Sequence, residues 1–275
     1  MIRNTSPMKI REGVILGSDK PVLFAGPCAV ESFDICLEIG TNVKEWATAH
    51  GFSYVFKASF DKANRTSSGS FRSIGMDKSL EVLQRVGQAL DVPLVTDIHE
   101  SYQAAEVAEV VDVLQIPAFL CRQSDLLQSA GETGKIVNIK KGQFLSGEAM
   151  KFAVEKIQKA GNQQILLTER GNTFGYQDLV VDYRNIPIMQ SHGTPVVMDC
   201  THSLQQPNQS SGVTGGKPEL ITTIAKAAIA VGADGLFIET HPDPANAKSD
   251  GANMLNLALL EDLLVKLIRV RQAVI

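Results

Sequence analysis

The strongest constraint on the fold is an alternation of short apolar runs with helical patterns, which continues from residue 22 to the C-terminus. Eight runs have the apolar content and polar boundaries of buried strands; they are residues 22–28, 54–59, 94–98, 113–118, 136–140, 165–169, 196–200 and 236–239. Helical patterns lie between them, among them residues 78–90, 148–159, 219–231 and 254–274. Strands that alternate with helices in this number predict an α/β protein of the (β/α)8 TIM-barrel type.

The main alternative fold is an open, doubly wound parallel sheet. The glycine-rich GxGxxG turn that is typical of dinucleotide-binding sheets of this kind is absent from the sequence. A length of 275 residues suits one barrel, and no low-complexity segment divides the chain, so residues 1–275 are predicted to form a single domain. Residues 8–18 alternate in polarity and predict a short N-terminal β-hairpin that caps one end of the barrel.

Composition argues against several classes of function. A formal net charge of −4 argues against nucleic acid as the main partner. No uninterrupted apolar run reaches the roughly 18 residues of a membrane span, and the first 13 residues lack an apolar targeting segment. Four dispersed cysteines without a CxxC motif indicate a reducing compartment. We therefore expect a cytoplasmic protein with no nucleic-acid and no membrane partner.

Polar side chains stand at or just beyond the carboxyl end of almost every predicted strand. They are Cys28, Lys57, Asp97, Gln115, Lys140, Arg170, His202 and Glu239. In a (β/α)8 barrel these ends converge on one mouth, where enzymes of this fold place their active sites. Packing alone would favour apolar residues there, so the pattern predicts a functional site.

Cations form the first group of site candidates. The stretch KASFDKANRTS, residues 57–67, carries Lys57, Lys62 and Arg65 on a loop after a predicted strand. Lys140 and Arg170 follow two further strands. Five cations exceed the need of one phosphate, so they favour two anionic groups or two phosphorylated substrates. Arg122 is a further candidate, and we expect it to reach a neighbouring subunit.

A second group has the chemistry of metal ligands: Cys28, His202, Glu239 and Asp250. A thiolate, an imidazole and two carboxylates suit Zn²⁺, Fe²⁺ or Mn²⁺. Each residue alone is compatible with simple packing. Cys200 and His241 lie on the same strands at the same parity as His202 and Glu239, so either competes as a ligand.

Residues 205–217, rich in Gly, Ser, Asn and Gln, are either a plain surface loop or an active-site lid that closes over the barrel mouth.

The residues alone do not decide which class of reaction the site catalyses. Lys57 or Lys140 is able to form a Schiff base, as in an aldolase.

Motifs along nearly the whole chain resemble the 3-deoxy-D-manno-octulosonate 8-phosphate (KDO 8-phosphate) synthase family. They are AGPCAVES, FKASFDKANRTS, TDIHE, LQIPAFLCRQSDLL, VNIKKGQFLS, TERGNTFGYQDLVVD, MDCTHSLQQP and ETHPDPANAKSDG. The DAHP synthases share AGPC and the ERG region but carry KPRTS in the basic loop. Gly147 departs from the family pattern, in which a proline is common.

The resemblance implies condensation of phosphoenolpyruvate with D-arabinose 5-phosphate in lipopolysaccharide biosynthesis, by a homotetramer. It implies that Lys57 and Lys62 bind the phosphoenolpyruvate carboxylate, and that Lys140, Arg170 and the Ala118 backbone bind its phosphate. It also implies that Arg65, Thr66 and Arg122 of an adjacent subunit bind the phosphate of arabinose 5-phosphate. The remaining residues that line the site are Asn64, Asp97, Gln115 and Phe119.

The family divides into metal-dependent members with Cys at the position of Cys28 and metal-independent members with Asn. The resemblance therefore implies a divalent ion held by Cys28, His202, Glu239 and Asp250. The catalytic candidates are Lys62, His202, Asp250, Asn64 and Asp97. Three alternatives remain: a DAHP synthase that uses erythrose 4-phosphate, a Schiff-base aldolase, and a non-catalytic phosphosugar-binding barrel.

Overall fold

The computed structural model describes residues 5–63, 71–174, 178–207 and 214–274. Eight parallel strands form its centre; they are β1 (Val22–Gly26), β2 (Ser53–Lys57), β3 (Leu94–Asp97), β4 (Val113–Ile116), β5 (Ile136–Lys140), β6 (Ile165–Glu169), β7 (Val196–Asp199) and β8 (Gly235–His241). Each strand pairs with the next, and β8 pairs with β1 through Phe237 opposite Phe24. The sheet is closed, so the predicted (β/α)8 barrel is confirmed.

One principal helix follows each strand. The helices are α1 (Phe33–Ala49), α2 (Met76–Leu90), α3 (Gln103–Ala108), α4 (Ser124–Glu132), α5 (Lys151–Lys159), α6 (Asn185–Gln190), α7 (Ile221–Ala230) and α8 (Leu260–Val274). None of the helices in the described ranges combines the length and apolar character needed to cross a membrane.

The predicted strand boundaries agree best for β5 and β6. β5 and β6 match the prediction, whereas β1 ends at Gly26 and β2 at Lys57, two residues earlier than predicted. The predicted helix from residue 254 is wrong for its first six residues. Leu255–Asn256 instead pairs with β8, and the Asn256 side chain accepts a hydrogen bond from Ala258 N (3.0 Å) before α8 begins.

Strand residues alternate between two apolar layers. Val55, Val95, Leu166 and Phe237 belong to a cluster inside the barrel. Residues of opposite parity, such as Ile139 and Leu167, pack against the helices. This alternation follows from the two-residue period of a strand, and it decides which residues at the strand ends face the barrel mouth.

The predicted N-terminal hairpin consists of Met8–Arg11 and Val14–Leu16. Val14 and Leu16 join the inner cluster, and Arg11 Nη2 lies 3.1 Å from Asp112 Oδ2, just before β4. Val22, the first residue of β1, belongs to the same cluster. The hairpin therefore closes the amino-terminal end of the barrel and leaves the carboxyl ends of the strands free to form a site.

Candidate active site

A cavity of about 1080 Å³ opens at the carboxyl ends of the barrel strands. Most of the predicted site residues line it: Lys57, Lys62, Asp97, Gln115, Ala118, Phe119, Lys140, Arg170, His202, Glu239 and Asp250. Cys28 is buried beside this wall, with its sulfur next to the carboxylates of Glu239 and Asp250. Residues far apart in sequence meet here because parallel barrel strands end at one rim.

Four predicted residues are not placed in this cavity. Asn64, Arg65 and Thr66 lie outside the described residues. Arg122 is exposed on the turn before α4 and is not among the residues that line the cavity.

Two buried lysines in the wall are each paired with a buried carboxylate. Lys57 Nζ forms an ion pair with Glu239 Oε1 and donates to Cys28 O (3.0 Å). Lys140 Nζ lies 2.6 Å from Asp199 Oδ2. These partners offset the cost of burying an ammonium group. The wall therefore holds positive charge in fixed positions rather than on flexible surface side chains.

Lys62 is a third lysine of the wall and is surrounded by negative groups. Its Nζ is 4.0 Å from Glu239 Oε1. Burial opposes its charge, but the negative groups that face it, Cys28 when ionised together with Glu239 and Asp97, raise the pKa of Lys62 above its ordinary value. Lys62 is therefore cationic at neutral pH and suited to bind an anion.

Arg170 offers an unused donor to the cavity. Its Nη2 donates to Gln205 Oε1 (2.8 Å), whereas the buried Nη1 has no hydrogen-bond partner among the described residues. A buried guanidinium nitrogen without a partner is costly, and an anionic ligand oxygen would satisfy it. The position of Arg170 therefore indicates a site for phosphate or carboxylate.

The predicted metal ligands come together on one side of the cavity. One ligand atom each from Cys28, Glu239 and Asp250 lie within 4.8 Å of one another. His202 Nε2 is 3.4 Å from Glu239 Oε2 and 3.8 Å from Asp250 Oδ2. Burial, followed by the charge of Glu239, raises the pKa of the Cys28 thiol to about 12. Without a cation, this sulfur is protonated at neutral pH.

Cys28, Glu239 and Asp250 lie close enough to share one divalent ion, and His202 lies beside Glu239 and Asp250 as a fourth donor. Glu239 Oε2 is buried without a hydrogen-bond partner among the described residues, and it faces His202 and the other ligand atoms. Asp250 adopts a left-handed backbone conformation (φ 51°), which is uncommon for a residue other than glycine and is often associated with functional sites. The mixture of sulfur, nitrogen and oxygen donors suits zinc, iron or manganese.

Asp199 is a site residue that the sequence analysis missed. Its Oδ2 lies 2.8 Å from His202 Nδ1 as well as 2.6 Å from Lys140 Nζ. The carboxylate thus orients the imidazole so that Nε2 faces the other ligands, as second-sphere carboxylates commonly do. The signal was present, because Asp199 is the last residue of β7, but the strand was predicted to continue to Cys200.

The two competing ligands do not join this group. Cys200 lies in the outer apolar cluster, with its sulfur 3.6 Å from Met198 O. His241 Nδ1 accepts from Asp243 N (3.0 Å), and its Nε2 is 3.8 Å from Glu31 Oε1. For Cys200, equal parity with His202 did not predict position, because the chain leaves the strand direction after Asp199.

The base of the predicted lid loop, residues 205–217, is a two-stranded ribbon in which Gln205–Gln206 pairs with Gly215–Gly216. Asp178 holds it, since Gln206 Nε2 and Lys217 Nζ lie 2.7 and 2.8 Å from its carboxylate oxygens. Gln205 links Arg170 to Asp250, whose Oδ2 is 3.3 Å from Gln205 Nε2. Residues 208–213 of the loop lie outside the described residues.

Gly147 replaces an expected proline at a position where its N–H is used. Gly147 N donates to Asn185 Oδ1 (3.1 Å), and a Cβ at residue 147 would lie 2.9 Å from the same oxygen. Proline cannot donate this bond. The departure from the family pattern therefore has a local explanation.

Together, the fold and the site define a (β/α)8-barrel enzyme whose active site lies at the carboxyl ends of the strands. The model of the DAHP synthetase I family matches residues 5–274 of the chain. Curated relatives of the chain carry the name 2-dehydro-3-deoxyphosphooctonate aldolase. The relative from Cyanothece sp. is 50% identical over 267 residues, 97% of this chain and 98% of its own.

The relative from Koribacter versatilis is 48% identical over 98% of this chain and 97% of its own. The relative from Nitratidesulfovibrio vulgaris is 54% identical over 89% of this chain and 90% of its own. The chain belongs to the DAHP synthetase I family, and the resemblance to KDO 8-phosphate synthases, which these names describe, is confirmed.

Proposed function

We propose that the chain condenses phosphoenolpyruvate with D-arabinose 5-phosphate and water to give KDO 8-phosphate and inorganic phosphate. The observation that carries the proposal is the group of four buried cations, Lys57, Lys62, Lys140 and Arg170, around one cavity. Four cations around one cavity suit a substrate that carries both a carboxylate and a phosphate, as phosphoenolpyruvate does, and the names of the relatives point to the same reaction.

Phosphoenolpyruvate lies across the cationic wall in this proposal. Lys57 and Lys62 bind its carboxylate. Lys140 and Arg170, on the adjacent strands β5 and β6, bind its phosphate together with the backbone of Ala118. The unpartnered Nη1 of Arg170 supports this placement, because a phosphate oxygen would complete its hydrogen bonding.

Arabinose 5-phosphate is placed above it, towards the mouth. Its phosphate is bound by Arg65, Thr66 and Arg122 of an adjacent subunit, and Asn64, Asp97, Gln115 and Phe119 line the rest of the site. Gln115 is supported from below, because its Oε1 accepts from Asn138 Nδ2 (3.1 Å). The exposed position of Arg122 is compatible with the proposed homotetramer.

In the proposed reaction, the C2–C3 double bond of phosphoenolpyruvate supplies the electron pair for a bond from C3 to the sugar aldehyde carbon. The aldehyde oxygen takes a proton, and water adds at C2 and loses one. The resulting hemiketal phosphate breaks the bond between C2 and the phosphate oxygen, the C2 hydroxyl becomes a carbonyl, and its proton leaves with inorganic phosphate. The candidates for these proton transfers are Lys62, His202, Asp250, Asn64 and Asp97.

Cys28, His202, Glu239 and Asp250 hold a divalent ion, Zn²⁺, Fe²⁺ or Mn²⁺, in this proposal. Such an ion supplies Lewis-acid polarisation of an oxygen. Asp199 keeps His202 in the orientation needed for binding. We further propose that the protein acts in the cytoplasm, in lipopolysaccharide biosynthesis; its cysteines at 28, 36, 121 and 200 are free thiols, as a reducing compartment favours.

The proposal is tested by phosphate release from phosphoenolpyruvate, measured with arabinose 5-phosphate and with erythrose 4-phosphate. Release with the five-carbon sugar supports it, whereas preference for the four-carbon sugar favours a DAHP synthase. Borohydride trapping with substrate would label Lys57 or Lys140 in a Schiff-base aldolase and leave the proposed enzyme unmodified. Failure to release phosphate with either sugar would favour a phosphosugar-binding barrel.

A further inference from the structure

Two charged residues, Lys141 and Glu169, lie directly behind the cavity wall and have no part in the proposed chemistry. Both side chains are 0% exposed, and Lys141 Nζ is 3.3 Å from Glu169 Oε1. Neither is among the residues that line the cavity, although their chain neighbours Lys140 and Arg170 are. The alternation of side chains explains this, because Lys141 and Glu169 continue the outward parity of Ile139 and Leu167.

Lys141 joins the two loops that follow β5 and β6. Its ammonium group donates to Asn172 Oδ1 (2.8 Å), to Leu145 O (3.1 Å) and, more weakly, to Gly171 O (3.4 Å). Asn172 Nδ2 also donates to Leu145 O (2.7 Å). The charge of Lys141 therefore ties the strand end that carries Lys140 to the one that carries Arg170.

Glu169 supports the turn on which Arg170 stands. Its Oε1 accepts hydrogen bonds from Arg170 N (2.9 Å) and Gly171 N (2.6 Å). Gly171 has φ +83°, and a Cβ there would lie 3.3 Å from Leu179 Cβ, so the chain makes a tight turn at this residue. The carboxylate thus fixes the backbone at the point where the Arg170 side chain enters the cavity.

We propose that Lys141 and Glu169 form a positioning pair that holds Lys140 and Arg170 in the geometry required to bind the phosphate of phosphoenolpyruvate. The inference rests on the proposed function, which assigns this phosphate to Lys140 and Arg170. An ion pair that is removed from water contributes little net stability, since desolvation offsets the attraction between the charges. Its contribution here is the placement of two cations on adjacent strands.

The test replaces the pair by apolar residues of similar size, Lys141→Met with Glu169→Leu. This double variant leaves no unpaired buried charge, so we expect it to fold, while Arg170 N and Gly171 N lose their acceptor. We expect the dissociation constant of phosphoenolpyruvate, measured by calorimetry, to rise about tenfold or more, because small displacements of positioning groups have effects of this size. The KM for arabinose 5-phosphate should change by less than about twofold.

A second double variant, Lys141→Met with Glu169→Gln, retains an oxygen that accepts from the two backbone N–H groups. It should recover part of the lost phosphoenolpyruvate affinity, and it provides the same readout if the first variant does not fold. The matched control is Arg11→Met, which removes an ion pair with Asp112 at the opposite end of the barrel. It should lower the unfolding temperature without changing phosphoenolpyruvate binding.

Unchanged phosphoenolpyruvate affinity in a folded Lys141→Met, Glu169→Leu protein would overturn the inference. So would equal losses of affinity for both substrates, which a general loosening of the barrel would cause. Failure of the proposed function gives a different result. In that case, the wild-type protein binds phosphoenolpyruvate but releases no phosphate with arabinose 5-phosphate, while the variant still loses phosphoenolpyruvate affinity.

Discussion

At the scale of single residues, the cavity wall is a set of opposite charges that hold one another in place. Glu239 pairs with Lys57 and faces His202, and Asp199 pairs with Lys140 and His202. Because each group contacts partners on more than one strand, its position is fixed before a ligand arrives. Preorganisation of this kind is what electrostatic stabilisation of a reaction requires.

Replacement of Cys28 tests the proposed metal site. Cys28→Asn removes the thiolate, and we expect lower affinity for Mn²⁺ or Zn²⁺ in equilibrium dialysis and weaker dependence of activity on added metal. Cys36→Ala is the control, because Cys36 is buried in α1, in the outer apolar cluster. Activation of Cys28→Asn by Mn²⁺ to the wild-type extent would count against Cys28 as a ligand.

Asp199 should act through His202 rather than on substrate. Asp199→Asn weakens the bond to Nδ1, and we expect about a 10- to 100-fold loss of metal affinity, as for other second-sphere carboxylates. The measurement is competition with a chromophoric chelator, with circular dichroism to establish that the variant is folded. Unaltered metal affinity would show that His202 does not depend on this carboxylate.

The residues in direct reach of the cavity were largely predictable, because strand ends and chemically capable side chains coincide in the sequence. Asp199 was missed because β7 was predicted to end at Cys200, one residue beyond its actual end at Asp199. Lys141 and Glu169 were missed for another reason. Their role depends on facing away from the mouth, and their charge alone suggests exposed residues.

At the scale of elements, the two ends of the barrel have different tasks. The N-terminal hairpin seals one end with Val14 and Leu16. The loops after the strands form the other end, where Asp178 ties the base of the lid loop to the ribbon of Asn172–Thr173 and Leu179–Val180. The alternation in residues 8–18 predicted the hairpin, whereas the contacts of Asp178 involve residues distant in sequence and had no local signal.

Closure of the lid loop remains a prediction. Phosphoenolpyruvate and arabinose 5-phosphate together should slow hydrogen–deuterium exchange in a peptide that spans residues 205–217, because closure would exclude water from the site. Peptides from the N-terminal hairpin provide the internal control and should exchange at the same rate with and without substrates. Equal exchange of the loop under the two conditions would show that it does not close.

At the scale of the whole molecule, the buried carboxylates link stability to pH. Burial alone would raise the pKa values of Asp97, Asp199 and Glu239, but neighbouring groups lower these values below the ordinary range. These neighbours are His99 and Lys62 for Asp97, His202 and Lys140 for Asp199, and His202 and Lys57 for Glu239. A carboxyl group whose pKa is lower in the folded than in the unfolded state stabilises the fold above its unfolded pKa. This stability is lost as the pH falls towards the folded value.

We therefore expect the free energy of unfolding of the metal-free protein to be nearly constant from pH 7 to about 5 and to fall below about pH 4, near the unfolded pKa of carboxyl groups. Urea unfolding at a series of pH values measures it. Asp199→Asn should show a smaller decrease. Stability that is independent of pH down to 3 would contradict the assigned charge pairs.

The most direct test of the central claim is a competition experiment. The purified protein receives limiting phosphoenolpyruvate with equal concentrations of arabinose 5-phosphate and erythrose 4-phosphate, and mass spectrometry measures the eight-carbon and seven-carbon products. The proposed function predicts that the eight-carbon KDO 8-phosphate exceeds the other product by more than about tenfold, because a site that hydrogen-bonds each sugar hydroxyl discriminates strongly against a shorter analogue. A predominant seven-carbon product, or none from either sugar, would contradict it.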